Sequence, residues 1–289
     1  MMNQPVRSSK SDVPPADPPF SALLPYLLIA FALAWGILGL YIAFWEGMSA
    51  LFGPLSGNHP LFFLAVYSPA IAAVIVVFRA GGFRGLRLFF TRALIWRCSL
   101  AWYAFLVLGV PLIFILGSAL RGNLWSEFFP FPSFAAGLLA IVLAAIKGPV
   151  EEFGWRGLAL PLLQRKLAPL WAGLVLGVVW AVWHLPAFLL GGTQQSEWAF
   201  GTFFLGCLAI SVIATALFNR SGGSIFLSAF FHFSLMNPIF PDAQPYDTYL
   251  LLVVAVLVVC WNRKSMIGRS DAVTAVIPGA EALRLRNLD

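Results

Sequence analysis

Long apolar stretches with almost no charged residues are the feature that most limits how this chain can fold. Each stretch is close to the length of about 20 residues that a helix needs to cross a bilayer. A transmembrane barrel would instead show alternating segments of about 10 residues. The pattern predicts an all-α polytopic membrane protein with eight transmembrane helices, over residues 21–45, 60–79, 99–120, 134–160, 170–191, 199–218, 223–240 and 247–262.

Composition excludes the other broad classes of protein. Of 289 residues, 60% are hydrophobic and 10% charged, whereas about 25% are charged in an ordinary soluble domain. The 27 Phe and 11 Trp residues exclude a disordered chain. The net charge of +6 needs no nucleic-acid partner, because basic residues flank membrane spans. Three unpaired cysteines predict neither a disulfide framework nor a metal site: Cys98, Cys207 and Cys260.

Three regions follow from this pattern. Residues 1–20 are rich in proline, serine and charge and are predicted to be a flexible cytoplasmic N-terminal tail. Residues 21–262 form the transmembrane domain, and residues 263–289 are predicted to be a cytoplasmic C-terminal tail.

The basic residues predict the orientation of the chain. Lysine and arginine stay in cytoplasmic loops, and eight spans with a cytoplasmic N-terminus place sixteen of the eighteen basic residues on that side. Of the other two, Arg121 falls in an outer loop and Lys147 within the fourth span. An odd number of spans would place these basic residues on both sides of the membrane. Both termini are therefore predicted to be cytoplasmic.

Ionisable residues within the spans are candidates for function, because an unpaired one is costly at membrane depth. Glu152 and Arg156, four residues apart, share a helix face and can form an ion pair. Glu151 is rotated by about 100° from that face, so it is free to face a cavity that a kink at Pro149 would open. Neutralisation of Glu151 by Lys147, one turn earlier, is the alternative.

His184 and His232 lie in the fifth and seventh spans. A carboxylate facing two imidazoles could activate water while the imidazoles stabilise an oxyanion, as in a peptidase without a protein nucleophile. The same groups could instead hold zinc, although H-E-x-x-H is absent. Each histidine could also simply bridge two helices.

The motifs E-E-x-x-x-R, aromatic-x-x-x-H and H-x-x-x-N resemble those of the CPBP family (CAAX protease and bacteriocin-processing, or ABI), over residues 147–238. The family includes the type II CAAX prenyl endopeptidases, which are intramembrane glutamic proteases with an eight-helix core. The resemblance implies that Glu151 is the water-activating base, that His184 helps to hold the water and that His232 is an oxyanion donor. Glu152 and Arg156 occupy structural positions of the first motif.

The chain departs from the family pattern at two positions. Trp180 stands where phenylalanine is usual, and the amide expected four residues after His232 comes one later, at Asn237. Pro238 disfavours a regular turn before it. A widened π-type turn would return Asn237 to the site, so Asn237 is included among the candidate catalytic residues.

We therefore expect an endopeptidase without metal or cofactor that cuts a membrane-associated peptide in a bacterial inner membrane. Glu151 would lie about 5 to 9 Å from the inner edge of the bilayer core, which predicts a cavity open to the cytoplasm. A transporter or ligand-binding protein with a proton relay is the first alternative, although the intramembrane ionisable groups all follow residue 146. A non-catalytic scaffold or immunity factor is the second.

Overall fold

The computed structural model describes residues 15–126, 129–236 and 238–279, and this part of the chain is helical without a strand. Five of its helices are long and apolar enough to cross a membrane, and three further apolar helices have 10 to 17 residues. Each of the eight predicted spans overlaps one of them. The all-α membrane fold is thus confirmed, and the crossing of the bilayer by all eight remains a prediction.

In chain order the eight apolar helices are α1 (Phe20–Ala43), α2 (Ser68–Leu94), α3 (Leu100–Arg121), α4 (Phe134–Gln164), α5 (Pro169–Trp183), α6 (Phe200–Arg220), α7 (Ile225–Leu235) and α8 (Tyr246–Trp261). Short helices connect or follow them at Trp45–Phe52, Pro60–Val66, Leu185–Phe188, Gln194–Glu197 and Arg263–Ile267.

Several predicted bounds differ from those observed, and prolines account for two of the differences. The span predicted to begin at residue 60 is divided by Tyr67 into a short helix and α2, which carries Pro69 in its first turn. The α5 helix ends at Trp183 rather than near residue 191, because Pro186 starts a new short helix. A proline lacks the N–H that would continue the preceding helix.

Because successive helices alternate in direction, their connections gather at two ends of the bundle. At one end, Phe129 N donates to Ile239 O at 3.1 Å and Gly57 N donates to Gly192 O at 3.3 Å. An ion pair between Arg121 and Asp242 also joins connections there. We call this the loop end.

The opposite end carries most of the described arginine and lysine residues of the connections, and we call it the basic end. Arg92 is buried there and donates to the carbonyl oxygens of Gly223, Ala275 and Val276. Asp17 accepts from the backbone N–H groups of Val276 and Ile277 at 3.1 and 2.8 Å. Parts of both predicted tails therefore pack on the bundle.

Candidate active site

Helix α4 changes its hydrogen-bonding pattern around the acidic motif. It is 3₁₀-helical over Gly148–Glu151 and π-helical over Trp155–Ala159. Pro149 lies in the first of these segments, and Pro161 follows the second. Since proline removes a helical donor and clashes with the carbonyl four residues earlier, both irregularities have a cause in the sequence. The distortion predicted at Pro149 is present.

Two tryptophans fix one oxygen of the Glu151 carboxylate. Trp155 Nε1 donates to Glu151 Oε2 at 3.1 Å, and Trp180 Nε1 donates to the same oxygen at 2.8 Å. Glu151 is only 3% exposed, and it borders the main cavity. Within the described residues no group hydrogen-bonds its other oxygen, Oε1, which leaves that atom available to a water molecule.

The neighbouring carboxylate, Glu152, holds a buried charge network. Its Oε1 accepts from Arg156 Nη1 at 3.0 Å and from His232 Nδ1 at 2.8 Å. The predicted ion pair between Glu152 and Arg156 is therefore confirmed, with both side chains almost fully buried. The link to His232 joins α4 to α7 and orients the imidazole, because Nδ1 is engaged and Nε2 is left for the cavity.

Trp180 lies between the two histidines. Its ring centroid is 5.4 Å from that of His184 and 5.4 Å from that of His232. His184 Nδ1 is 2.9 Å from the carbonyl oxygen of Trp180, and since a carbonyl only accepts, Nδ1 carries the proton. In the neutral imidazole His184 Nε2 is then an acceptor. Trp180 thus contacts Glu151, His184 and His232, which the structure brings together around one residue.

Two glycines of α4 allow α7 and α2 to pack closely against it. A Cβ on Gly148 would lie 2.9 Å from His232 Nε2 and would collide with Met236 Sδ. A Cβ on Gly154 would lie 2.5 Å from the backbone oxygen of Pro69 at the start of α2. Any larger residue would push α4 away from α7 or from α2.

Glu151, His184 and His232 line one cavity of about 940 Å³, a volume that suits a peptide or a ligand of drug size. Its wall is largely apolar and includes Trp180, Trp183 and Phe203. Lys147 also reaches it, but its Nζ donates to Gly57 O at 3.1 Å. The described residues show no ion pair between Glu151 and Lys147. The alternative in which Lys147 neutralises Glu151 therefore gains no support.

The described residues contain no group of three or more His, Cys, Asp or Glu side chains placed to hold a metal ion. Asn237 lies outside them, so its position relative to His232 is not described. Helix α7 ends at Leu235, and Met236 N donates to both His232 O and Phe233 O at 3.1 Å. These are α-type and 3₁₀-type bonds, and as far as Met236 the turn is not widened.

The contacts of Trp155 and Trp180 with Glu151 were not among the predictions from sequence. One signal was present for Trp155, which follows Glu151 by four residues and therefore shares its helix face. No comparable signal existed for Trp180, because its contact with Glu151 joins α4 to α5. The tryptophan that replaces the usual phenylalanine supplies the indole N–H that phenylalanine lacks.

The cavity extends to the loop end of the bundle. Segments from four connections at that end line it, at residues 56–58, 130–131, 192–198 and 238–244. No residue of the described basic end lines it. Most of the described basic residues of the connections thus lie at the end opposite the connections that line the cavity. The opening of the cavity to the cytoplasm stays a prediction.

Comparison with known proteins agrees with the motifs. Residues 131–237 match the family model described as type II CAAX prenyl endopeptidase Rce1-like. A relative named CAAX prenyl protease 2, from Methanococcus maripaludis, is 28% identical over 173 residues. The match covers 56% of this chain and 63% of the relative, so it spans less than two thirds of the relative's length. Both comparisons point to the same group as the acid and histidine motifs, so this part of the chain is similar to the CPBP/Rce1-like family of membrane proteases.

Proposed function

We propose that this protein is an intramembrane endopeptidase in which Glu151 activates water. The main support for the proposal is the hydrogen bonding of the Glu151 carboxylate at the cavity wall. One oxygen is held by two indole N–H groups and the other has no protein donor within the described residues. A fixed carboxylate with one available oxygen is what a general base for water requires.

The proposed reaction uses the groups around this carboxylate in order. Water bound to Glu151 Oε1 gives up a proton to the carboxylate while its oxygen forms a bond to the carbonyl carbon of the peptide. His184 Nε2 accepts the second hydrogen of the water and orients it. When the tetrahedral intermediate collapses, the C–N bond breaks and Glu151 returns the proton to the leaving nitrogen.

His232 is proposed to stabilise the developing oxyanion. Because its Nδ1 faces the Glu152 carboxylate at 2.8 Å, Nε2 carries a proton for donation only when the ring is the imidazolium. A charged donor aimed at a developing oxyanion in a dry cavity is an effective source of transition-state stabilisation.

The substrate is proposed to be a membrane-associated peptide. The relative is named as a CAAX prenyl protease, and a largely apolar cavity of about 940 Å³ accepts an extended apolar segment. Both prenylated CAAX peptides and unprenylated membrane peptides fit this description.

The test is a cleavage assay of the full chain in detergent with internally quenched peptides, prenylated and unprenylated. We expect Glu151→Gln to lower turnover by about 10² to 10⁴-fold and a zinc chelator to leave turnover unchanged. Activity that a chelator abolishes and zinc restores would assign Glu151, His184 and His232 to a metal instead. Full activity of Glu151→Gln would contradict the proposal.

A further inference from the structure

The helix bundle carries a second, smaller concavity, which we call the outer groove. Its volume is about 330 Å³, at the lower end of the range for ligand sites. The outer groove lies between α5 and α8, and α6 lies beneath it. Apolar side chains and one cysteine line it, including Leu170 and Leu174 of α5, Ala209 and Val212 of α6, and Ala255 and Cys260 of α8.

The outer groove is separate from the cavity at Glu151, and α6 and α8 form the wall between them. On α6, Cys207 lines the cavity and its neighbour Leu208 lines the groove. On α8, Leu251 lines the cavity and Leu252 lines the groove. The two sets of lining residues share no member in the described chain. A ligand in the outer groove therefore does not compete with a peptide in the cavity.

The outer groove reaches the basic end of the bundle, where two exposed tryptophans flank it. Leu170 is the second residue of α5, and Cys260 is the last but one of α8. The adjacent residues Trp171 and Trp261 are 58% and 88% exposed. Exposed tryptophans at the ends of apolar helices are typical of the interface between membrane and water. An acyl chain in the groove would thus have its headgroup at the level of this interface.

A short basic helix lies at the same end. This helix, Arg263–Ile267, packs against α5 and α8, and its Ser265 and Met266 are buried. Arg263 and Lys264 are exposed, and none of the described carboxylates forms an ion pair with either. Cations close to the membrane surface attract anionic headgroups. The apolar groove and the two cations therefore match the two parts of one molecule, an anionic phospholipid.

We infer that the outer groove binds one acyl chain of an anionic phospholipid whose phosphate contacts Arg263 and Lys264. The apolar lining accepts the chain of any lipid, and the two cations select the headgroup. The chain contacts α5, α6 and α8 together. Because α5 also carries Trp180, the lipid stabilises the packing of a helix that lines the active-site cavity. This binding does not depend on the proposed peptidase activity.

The headgroup selection is tested by native mass spectrometry of the full chain in detergent. Phosphatidylglycerol and phosphatidylcholine with identical acyl chains are titrated in parallel. We expect the wild type to retain phosphatidylglycerol about 10 to 30-fold better, since each cation adds to the attraction. The double variant Arg263→Gln, Lys264→Gln should lose this preference. Equal retention of the two lipids by the wild type overturns the inference.

A second double variant controls for the overall charge of the basic end. Arg87→Gln, Arg97→Gln removes the same charge from two exposed arginines at the end of α2 and in the connection after it. Neither arginine belongs to an element that lines the outer groove. This variant should retain the lipid preference of the wild type. A loss as large as that of Arg263→Gln, Lys264→Gln would assign the preference to general charge and overturn the inference.

The acyl-chain site is tested with a matched pair on α8. Val256 and Val253 are 62% and 58% exposed, but only Val256 lines the outer groove. Val256→Trp places a large ring over the groove and should reduce retention of phosphatidylglycerol, whereas Val253→Trp should retain it. Equal retention by both variants overturns the assignment to the groove. A lipid-free dimer that Val256→Trp disrupts would assign the groove to a second copy of the chain instead.

Cys260 provides a readout at the groove itself. It is exposed, whereas Cys207 is buried, and Cys98→Ala removes the remaining accessible thiol. In that variant we expect phosphatidylglycerol to slow the reaction of Cys260 with N-ethylmaleimide several-fold and phosphatidylcholine to slow it much less. Reaction rates that phosphatidylglycerol leaves unchanged would show that the lipid binds elsewhere and would overturn the inference.

Discussion

Trp180 donates its indole N–H to Glu151 Oε2 at 2.8 Å, and the same tryptophan accepts at its backbone oxygen from His184 Nδ1 at 2.9 Å. One residue of α5 therefore sets the positions of both the proposed base and the histidine proposed to orient the water. The tryptophan in place of the family's usual phenylalanine acts through Glu151 and is a positioning residue.

The first prediction concerns this indole. Trp180→Phe keeps an aromatic ring but removes the N–H donor. A hydrogen bond to a charged group contributes about 1.5 to 3 kcal/mol, so we expect kcat/KM to fall by about 10 to 100-fold. The measurement is kcat and KM on one quenched peptide.

Trp183→Phe is the matched control for that experiment. Trp183 is buried nearby and contacts Trp155 and His184 edge to face, yet its indole nitrogen has no hydrogen-bond partner in the described structure. Its replacement should leave kcat/KM close to the wild-type value. If Trp180→Phe and Trp183→Phe behave alike, the indole hydrogen bond does not position Glu151.

The second prediction concerns the buried ion pair. Glu152→Gln retains an oxygen acceptor but leaves the charge of Arg156 uncompensated. Breaking a buried pair in this way costs about 3 to 5 kcal/mol, so the yield of folded protein and the unfolding temperature in detergent should both fall. The double variant Glu152→Gln, Arg156→Met removes both charges and should recover much of that stability. A double variant as unstable as Glu152→Gln would show that the loss does not come from the unpaired charge.

The third prediction concerns the contact between α4 and α7. Gly148→Ala places a methyl group against His232 Nε2 and Met236 Sδ, and forced overpacking costs about 1 to 3 kcal/mol. Because His232 would have to move, turnover should fall while KM changes less. Gly39→Ala is the control, since a Cβ there meets no atom within 4 Å. Equal turnover in both variants would refute the close fit.

The Glu152–Arg156 pair could be predicted from sequence because it depends only on helical spacing. The indole contact between Trp180 and Glu151 could not, since it depends on how α4 and α5 pack. The same limit affects the cavity. Its residues could be named from the motifs, but its opening depends on connections remote in the chain, such as those of Ser56 and Asp242.

The fourth prediction concerns the basic end. Asp17→Ala removes the acceptor of two backbone N–H groups and the partner of Arg165. We expect faster proteolysis of the segment around Val276, because these bonds attach it to the bundle. Asp271→Ala is the control, since its ion pair with Arg220 spans 3.8 Å between exposed side chains, and such pairs contribute little. Equal protection of both variants would exclude a role for Asp17 in this attachment.

The last prediction concerns the amide after His232. Met236 occupies the position four residues after His232 and lines the cavity, but a thioether donates no hydrogen bond to an oxyanion. Asn237 carries the nearest amide in sequence, and a proline such as Pro238 disfavours the regular helical conformation at the residue before it.

We therefore expect Asn237→Ala to lower turnover by about 10² or more, as for a lost oxyanion donor, and Met236→Ala to lower it by less than about tenfold. Asn237→Asp should be as impaired as Asn237→Ala, because it keeps the shape and replaces the donor with an acceptor. The three variants are compared by kcat in detergent on one quenched peptide. If Met236→Ala is the more impaired variant, the Asn237 amide takes no part in the reaction. Stabilisation of the oxyanion then depends on His232 and on donors other than Asn237.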